Sequence, residues 1–123
     1  MLGYVMVGTN DMDKALAFYD ALMPLMDGKR SMPFPKGQSY VFGDKPAPMF
    51  VITSASDGEA CTHGNGTMFA FNVKTPEKVA EIHAKALELG ASDEGAPGPR
   101  AGFGEFAYFR DPDGNKLAVF ALG

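Results

Sequence analysis

A chain of 123 residues with 46% hydrophobic side chains is long enough to bury one core and too short for two ordinary domains. Its formal net charge is −4 and its Lys and Arg residues are scattered, which argues against a nucleic-acid groove. The single cysteine, Cys61, excludes an intrachain disulfide and fits a reducing, cytoplasmic setting.

The opening run, Met1 to Asp11, has no basic leader and is broken by Asn10-Asp11. It reads as a strand, Leu2 to Gly8, and neither as a signal peptide nor as a membrane span. A helix is expected over Asp11 to Met23. Asn10 or Asp11 caps its free N–H groups, Met12, Ala15, Tyr19 and Leu22 form its apolar stripe, and Pro24 ends it. Extended pieces follow near Lys29 to Phe34, at Ser39 to Gly43 and at Met49 to Thr53. A polar, Gly-rich loop from Ser54 to Gly66 then divides the chain. Beyond it come a strand, Met68 to Val73, and a second helix, Pro76 to Leu89. That helix has Thr75 as N-cap, Pro76 at its first position, a stripe of Val79, Ile82, Ala86 and Leu89, and Gly90 closing it. A short extended piece near Ala91 to Gly95 precedes strands at Gly104 to Arg110 and Lys116 to Leu122. Asp111-Pro112-Asp113-Gly114 between the last two is a hairpin turn, with Pro presetting φ at its second place and Gly at its fourth.

The two halves share an order of elements. Shifted by 64 residues, Tyr4-Val5-Met6-Val7 falls on Met68-Phe69-Ala70-Phe71, and Asp13-Lys14-Ala15 falls on Glu77-Lys78-Val79. The segments Gly64 to Phe71, Asp93 to Arg100 and Phe109 to Leu117, together with Val7 to Tyr19, resemble the glyoxalase/bleomycin resistance/extradiol dioxygenase (vicinal oxygen chelate) superfamily. The resemblance covers nearly the whole chain. It implies an α+β fold of two βαβββ modules forming a curved mixed-sheet cup, with module 1 at about 1–54, a linker at about 55–66 and module 2 at about 67–123. It also implies a homodimer, which covers open sheet edges. It does not choose among the superfamily's reactions.

Metal enzymes of that superfamily hold a divalent ion in the cup through imidazole and carboxylate. Matched residue by residue, the two histidines fall on Tyr4 and Met68, and the two carboxylates fall near Val51 and on Ala118. Three of these cannot hold such a cation, and Tyr4 could do so only as a phenolate. No metal and no cofactor is therefore expected. Other constellations carry less. Cys61-Thr62-His63 lacks two further ligands, since the remaining histidine, His83, lies on the second helix and reads as packing. Asp111 and Asp113 lack the glutamate that closes a calcium loop. Gly64-Asn65-Gly66 is followed by a strand where a dinucleotide fingerprint opens a helix.

Alternation places Val5, Val7, Phe69 and Phe71 under the helices. Tyr4, Met6, Met68, Ala70 and Asn72 then face the cup, which agrees with the family's ligand positions at Tyr4 and Met68. Tyr40 and Phe42 share one face of another strand and are assigned to the cup. Phe106 and Tyr108 share a face whose direction the sequence does not give. Arg100 reads either as an exposed loop residue or as a partner for an anionic substituent, and the methionines read either as core or as an adaptable wall. The expected ligand-binding set is Tyr4, Met6, Met68, Asn72, Tyr40, Phe42, Arg100 and Tyr108, in a pocket between modules of one chain or of paired chains. Two functions compete. One is metal-free binding of a small, largely apolar molecule. The other is an enzyme (lyase- or isomerase-like) without the usual metal, using Tyr4, Glu105 or His63 as acid or base. A cup that is only a dimer core stands as a third reading.

Overall fold

The computed structural model describes residues 1–123, which divide into two compact units, 1–63 and 64–123. In the first, β1 (Tyr4–Gly8) leads into α1 (Met12–Leu22), a 3₁₀ turn at Met23–Met26, β2 (Gly28–Phe34), β3 (Gly37–Phe42) and β4 (Lys45–Thr53). In the second, β5 (Phe69–Asn72) leads into α2 (Pro76–Glu88), β6 (Ser92–Arg100), β7 (Gly104–Arg110) and β8 (Lys116–Leu122). The sheet orders are β1-β4-β3-β2 and β5-β8-β7-β6, and in each the first and last strands pair in parallel. Each unit is thus a βαβββ module, as expected.

The duplication reaches the atomic detail of the helix starts. Asp11 and Thr75, 64 residues apart, are both N-caps in extended conformation, and their side chains accept from the backbone N–H of Lys14 and Lys78. Pro24 does not stop α1 outright. Met23 stays helical, and the chain tightens into the 3₁₀ turn with Pro24 in its first positions, where the missing N–H costs nothing. β6 runs to Arg100, well beyond the expected Gly95, by pairing with β7 through two register shifts.

Each core lies between a helix and its own sheet. In the first unit Tyr19 of α1 packs against Phe50 and Tyr40, with ring centroids 5.3 and 6.3 Å apart. Phe18, Leu22 and Ile52 are buried with them. In the second unit Val79, Ile82 and Ala86 of α2 are fully buried, as are Ala107, Phe109, Leu117 and Val119 of β7 and β8. His83 occupies the place of Tyr19 in the repeat. It is buried, its Nε2 lies 3.0 Å from Asp93 Oδ1, and its ring is 6.5 Å from Phe109, so it ties α2 to β6.

The Asp111 turn is a hairpin closed by its own side chains. Asp111 Oδ1 accepts from the N–H groups of Asp113 and Asn115 at 3.0 and 2.9 Å, and Asn115 Nδ2 donates to Oδ2 at 2.9 Å. These bonds use the carboxylate that a calcium loop would need.

The connector is fastened to the first unit. Asn10 Oδ1 accepts from Cys61 N–H at 2.7 Å and Asn10 Nδ2 donates to the Cys61 carbonyl at 3.2 Å, as a neighbouring strand would. Cys61 Sγ lies against the Thr9 and Thr53 carbonyls. The residue beneath it is Gly8, where a Cβ would stand 2.7 Å from that sulfur.

Candidate functional site

Each sheet has one face on its helix and one turned away from it, here called the open face. In β1, Val7 is buried toward α1 while Tyr4 and Met6 are exposed on the open face, as alternation requires. Met49 and Val51 share that face by register with Tyr4 and Met6. Phe34 of β2 reaches it from the opposite edge. The Tyr4 and Phe34 rings meet edge to face at 5.2 Å although β4 and β3 lie between their strands, so this sheet curls around its open face.

Tyr40 and Phe42 do not belong to that face, and their assignment to the cup is corrected. Tyr40 is 1% exposed under α1, and its hydroxyl donates to Asp20 Oδ1 at 2.7 Å. Phe42 shares its row, with its ring edge beside Gly28 and close to where Met23 also packs. The same Asp20 accepts from Arg30 Nε at 2.9 Å and Nη2 at 2.6 Å. The Arg30 bonds hold the Asp20 carboxyl below its ordinary range against the opposing effect of burial, and the Tyr40 bond and the Arg30 charge add to them. Burial, with the Asp20 charge beside it, pushes the Tyr40 hydroxyl up. Tyr40 is a structural clasp between β3 and α1.

The second unit's open face is now oriented. Ala107 and Phe109 are buried toward α2, so Phe106 and Tyr108 point away from it. Phe106 stacks on Phe120 at 5.1 Å and lies nearly parallel to Tyr108 at 6.2 Å. Glu105 falls in the row of Ala107 and Phe109, away from this ladder. Met68 is exposed just ahead of β5, and Ala70 lies beside Ala118 on the same face. Asn72 shares the row, and its Oδ1 accepts from Lys74 N–H at 3.1 Å to shape the turn after β5.

Arg100 lies over the Tyr108 ring, its Cζ 5.5 Å from the centroid, and Lys116 Nζ lies 5.6 Å from the same centroid. Gly95 makes room for this arrangement, since a Cβ there would stand 2.8 Å from the Tyr108 ring and 3.4 Å from the Arg100 guanidinium. Sequence reasoning missed Phe120 and Lys116. Ala118, matched to a family ligand position, already marked its row of β8 as the open one, and one step of alternation to either side reaches both.

The residues at the matched metal positions do not suit a divalent cation. Val51 and Ala118 are apolar and fully buried, Met68 offers a thioether, and the Tyr4 ring packs on Phe34. No three His, Cys, Asp or Glu side chains gather anywhere in the chain in a way that could hold a metal ion.

A family model described as the glyoxalase/bleomycin resistance protein/dioxygenase superfamily matches residues 1–119. Among solved structures, a glyoxalase/bleomycin resistance protein from Albidiferax ferrireducens is 35% identical, covering 100% of this chain and 99% of that one, with a TM-score of 0.90. A glyoxalase/bleomycin resistance protein/dioxygenase family enzyme from Burkholderia phytofirmans is 20% identical, with 98% of each chain covered and a TM-score of 0.77. The fosfomycin resistance protein FosX from Listeria monocytogenes is 18% identical, with 100% of this chain and 93% of that one covered and a TM-score of 0.73. The last two likenesses speak for the fold alone. No curated protein sequence matches the chain. The family match over nearly the whole sequence, the paired βαβββ modules and the 35% identical relative agree, and the chain belongs to the glyoxalase/bleomycin resistance protein/dioxygenase superfamily.

Proposed function

We propose that the protein binds a small, largely apolar molecule on the open faces of its sheets, without the divalent metal that enzymes of its superfamily use. The observation that carries this reading is the pairing of exposed Tyr4, Met6 and Met68 on those faces with Val51 and Ala118 at matched ligand positions. Large apolar side chains left exposed together on a sheet face need a reason, and ligand contact supplies one. In the second unit Phe106, Phe120 and Tyr108 form an apolar ladder on the open face of its own sheet.

The test uses naphthalene-2-carboxamide, a neutral planar probe, with protein dialysed against a chelator. Methionine methyl resonances should shift on Met6 or Met68 and stay still on buried Met23. Adding zinc, nickel or manganese should not tighten binding, and Met68→Trp should weaken it about tenfold, roughly 1.4 kcal/mol. Binding that appears only with metal, or that leaves both exposed methionines unmoved, defeats the reading.

A homodimer in a cytoplasmic setting belongs to the same proposal. β1 and β5 are each paired on one side only within their sheets, and such edges call for cover. No helix is long and apolar enough to cross a membrane, and one cysteine suits a reducing compartment. Light scattering at micromolar concentration should return twice the chain mass of 13.1 kDa; a stable monomer counts against pairing.

A further inference from the structure

Arg100 and Lys116 stand out from the other cations on the second sheet. Arg110, their neighbour, is neutralised by Glu94 at 3.2 Å and also donates to the Gly114 carbonyl at 2.8 Å. Neither Arg100 nor Lys116 forms an ion pair with any carboxylate, although the chain carries 15 Asp and Glu. Arg100 Nη1 and Nη2 donate instead to the carbonyls of Pro99 and Ala96, at 3.1 and 2.8 Å, which fixes the guanidinium plane without cancelling its charge. Both cations lean on one Tyr108 ring, and the Tyr108 hydroxyl has no hydrogen-bond partner within the chain. The ring's quadrupole attracts each cation but offsets only part of its charge. An oxyanion within reach of both would offset more, and the phenol adds a neutral donor. The apolar ladder of Phe106 and Phe120 begins beside this point.

We infer that the ligand of this face is an amphipathic organic anion. Its carboxylate or similar oxyanion is held by Arg100, Lys116 and the Tyr108 hydroxyl, and its planar apolar body lies along Phe106 and Phe120. This rests on the proposed binding function and adds the class of ligand. Gly95 belongs to the same device, because any side chain there would displace the ring that both cations lean on.

The experiment compares two probes of one shape, naphthalene-2-carboxylate and naphthalene-2-carboxamide, by titration calorimetry and by amide shifts of the wild-type protein. The carboxylate should bind about tenfold tighter, the scale of one charge-assisted contact. It should move the Arg100, Tyr108 and Lys116 resonances, and its advantage should shrink as salt is raised, because partly exposed charges are screened. Arg100→Gln with Lys116→Gln should bring the carboxylate down to the amide's level. The salt titration needs no variant and decides the matter if that double substitution fails to fold. Equal affinity of the two probes at low salt overturns the inference and leaves the binding proposal standing. Failure of both probes to bind defeats the two together.

Discussion

Replacing Phe109 by Ala should lower unfolding stability by about 3–5 kcal/mol, whereas Phe106→Ala, three residues away on the same strand, should cost about 1–2 kcal/mol. Phe109 is fully buried on the face of β7 toward α2, with the His83 ring 6.5 Å away, and its removal leaves a cavity that helix and sheet close only in part. Phe106 is half-buried on the open face and loses two ring contacts without opening the core. Set against a total of about 5–15 kcal/mol for a domain, the first loss leaves little folded reserve at 37 °C. Urea denaturation of both variants measures it. A larger loss from Phe106→Ala than from Phe109→Ala would mean that β7 is turned over and that Phe106 and Tyr108 lie under α2, and equal losses would mean that neither ring alone fills the core.

The second large effect is acid-dependent. Tyr40→Phe deletes a buried hydroxyl that donates to the Asp20 carboxylate, at a cost of about 1–2 kcal/mol at neutral pH. Asp20→Asn also breaks the paired contact with Arg30. Both partners there are more than two-fifths exposed, so that ion pair adds under about 1 kcal/mol. The sign of the pH dependence follows from the Asp20 pKa, which the fold lowers from its ordinary 3.8. The stability it contributes is fully present above that ordinary value and is lost as pH falls through the folded value. Thermal melts of the parent and Asp20→Asn should therefore differ by a constant amount from pH 7 to pH 5 and converge below pH 4. A gap that persists unchanged at the lowest pH where the parent still folds would show that the carboxylate charge is not what stabilises the clasp.

The elements were readable in the sequence because their signals are local. Asp11 and Thr75 cap helices, Asp111 to Gly114 makes a turn, and alternation in Tyr4 to Val7 and Met68 to Phe71 assigns two open faces. Tyr40 was misplaced because alternation says only that it shares a face with Phe42; which face that is follows from its pairing with Phe50, and through Phe50 with Val5 of β1, a register between distant strands that no local signal carries. Its partner Asp20 lies on the polar flank of a helix, where no spacing rule would pair it with a tyrosine 20 residues on. The stretch Ala96 to Arg100 reads as loop by composition, with two prolines and a glycine, but it forms strand at a sheet edge, where proline's missing donor is not needed. That unforeseen strand carries Arg100 to Tyr108.

The way Asn10 grips Cys61 bears on how the chain can be recombined with its relatives. The sequence suggests a crossover at residue 54, where the polar loop begins. A chimera joined there would leave the Asn10 amide, the Thr9 and Thr53 carbonyls and the bare surface of Gly8 facing a foreign loop with no matching backbone and no sulfur of the right size. A join at Gly64 keeps all of those partners on the donor's side, so the seam for exchanging halves lies ten residues later than the composition suggests.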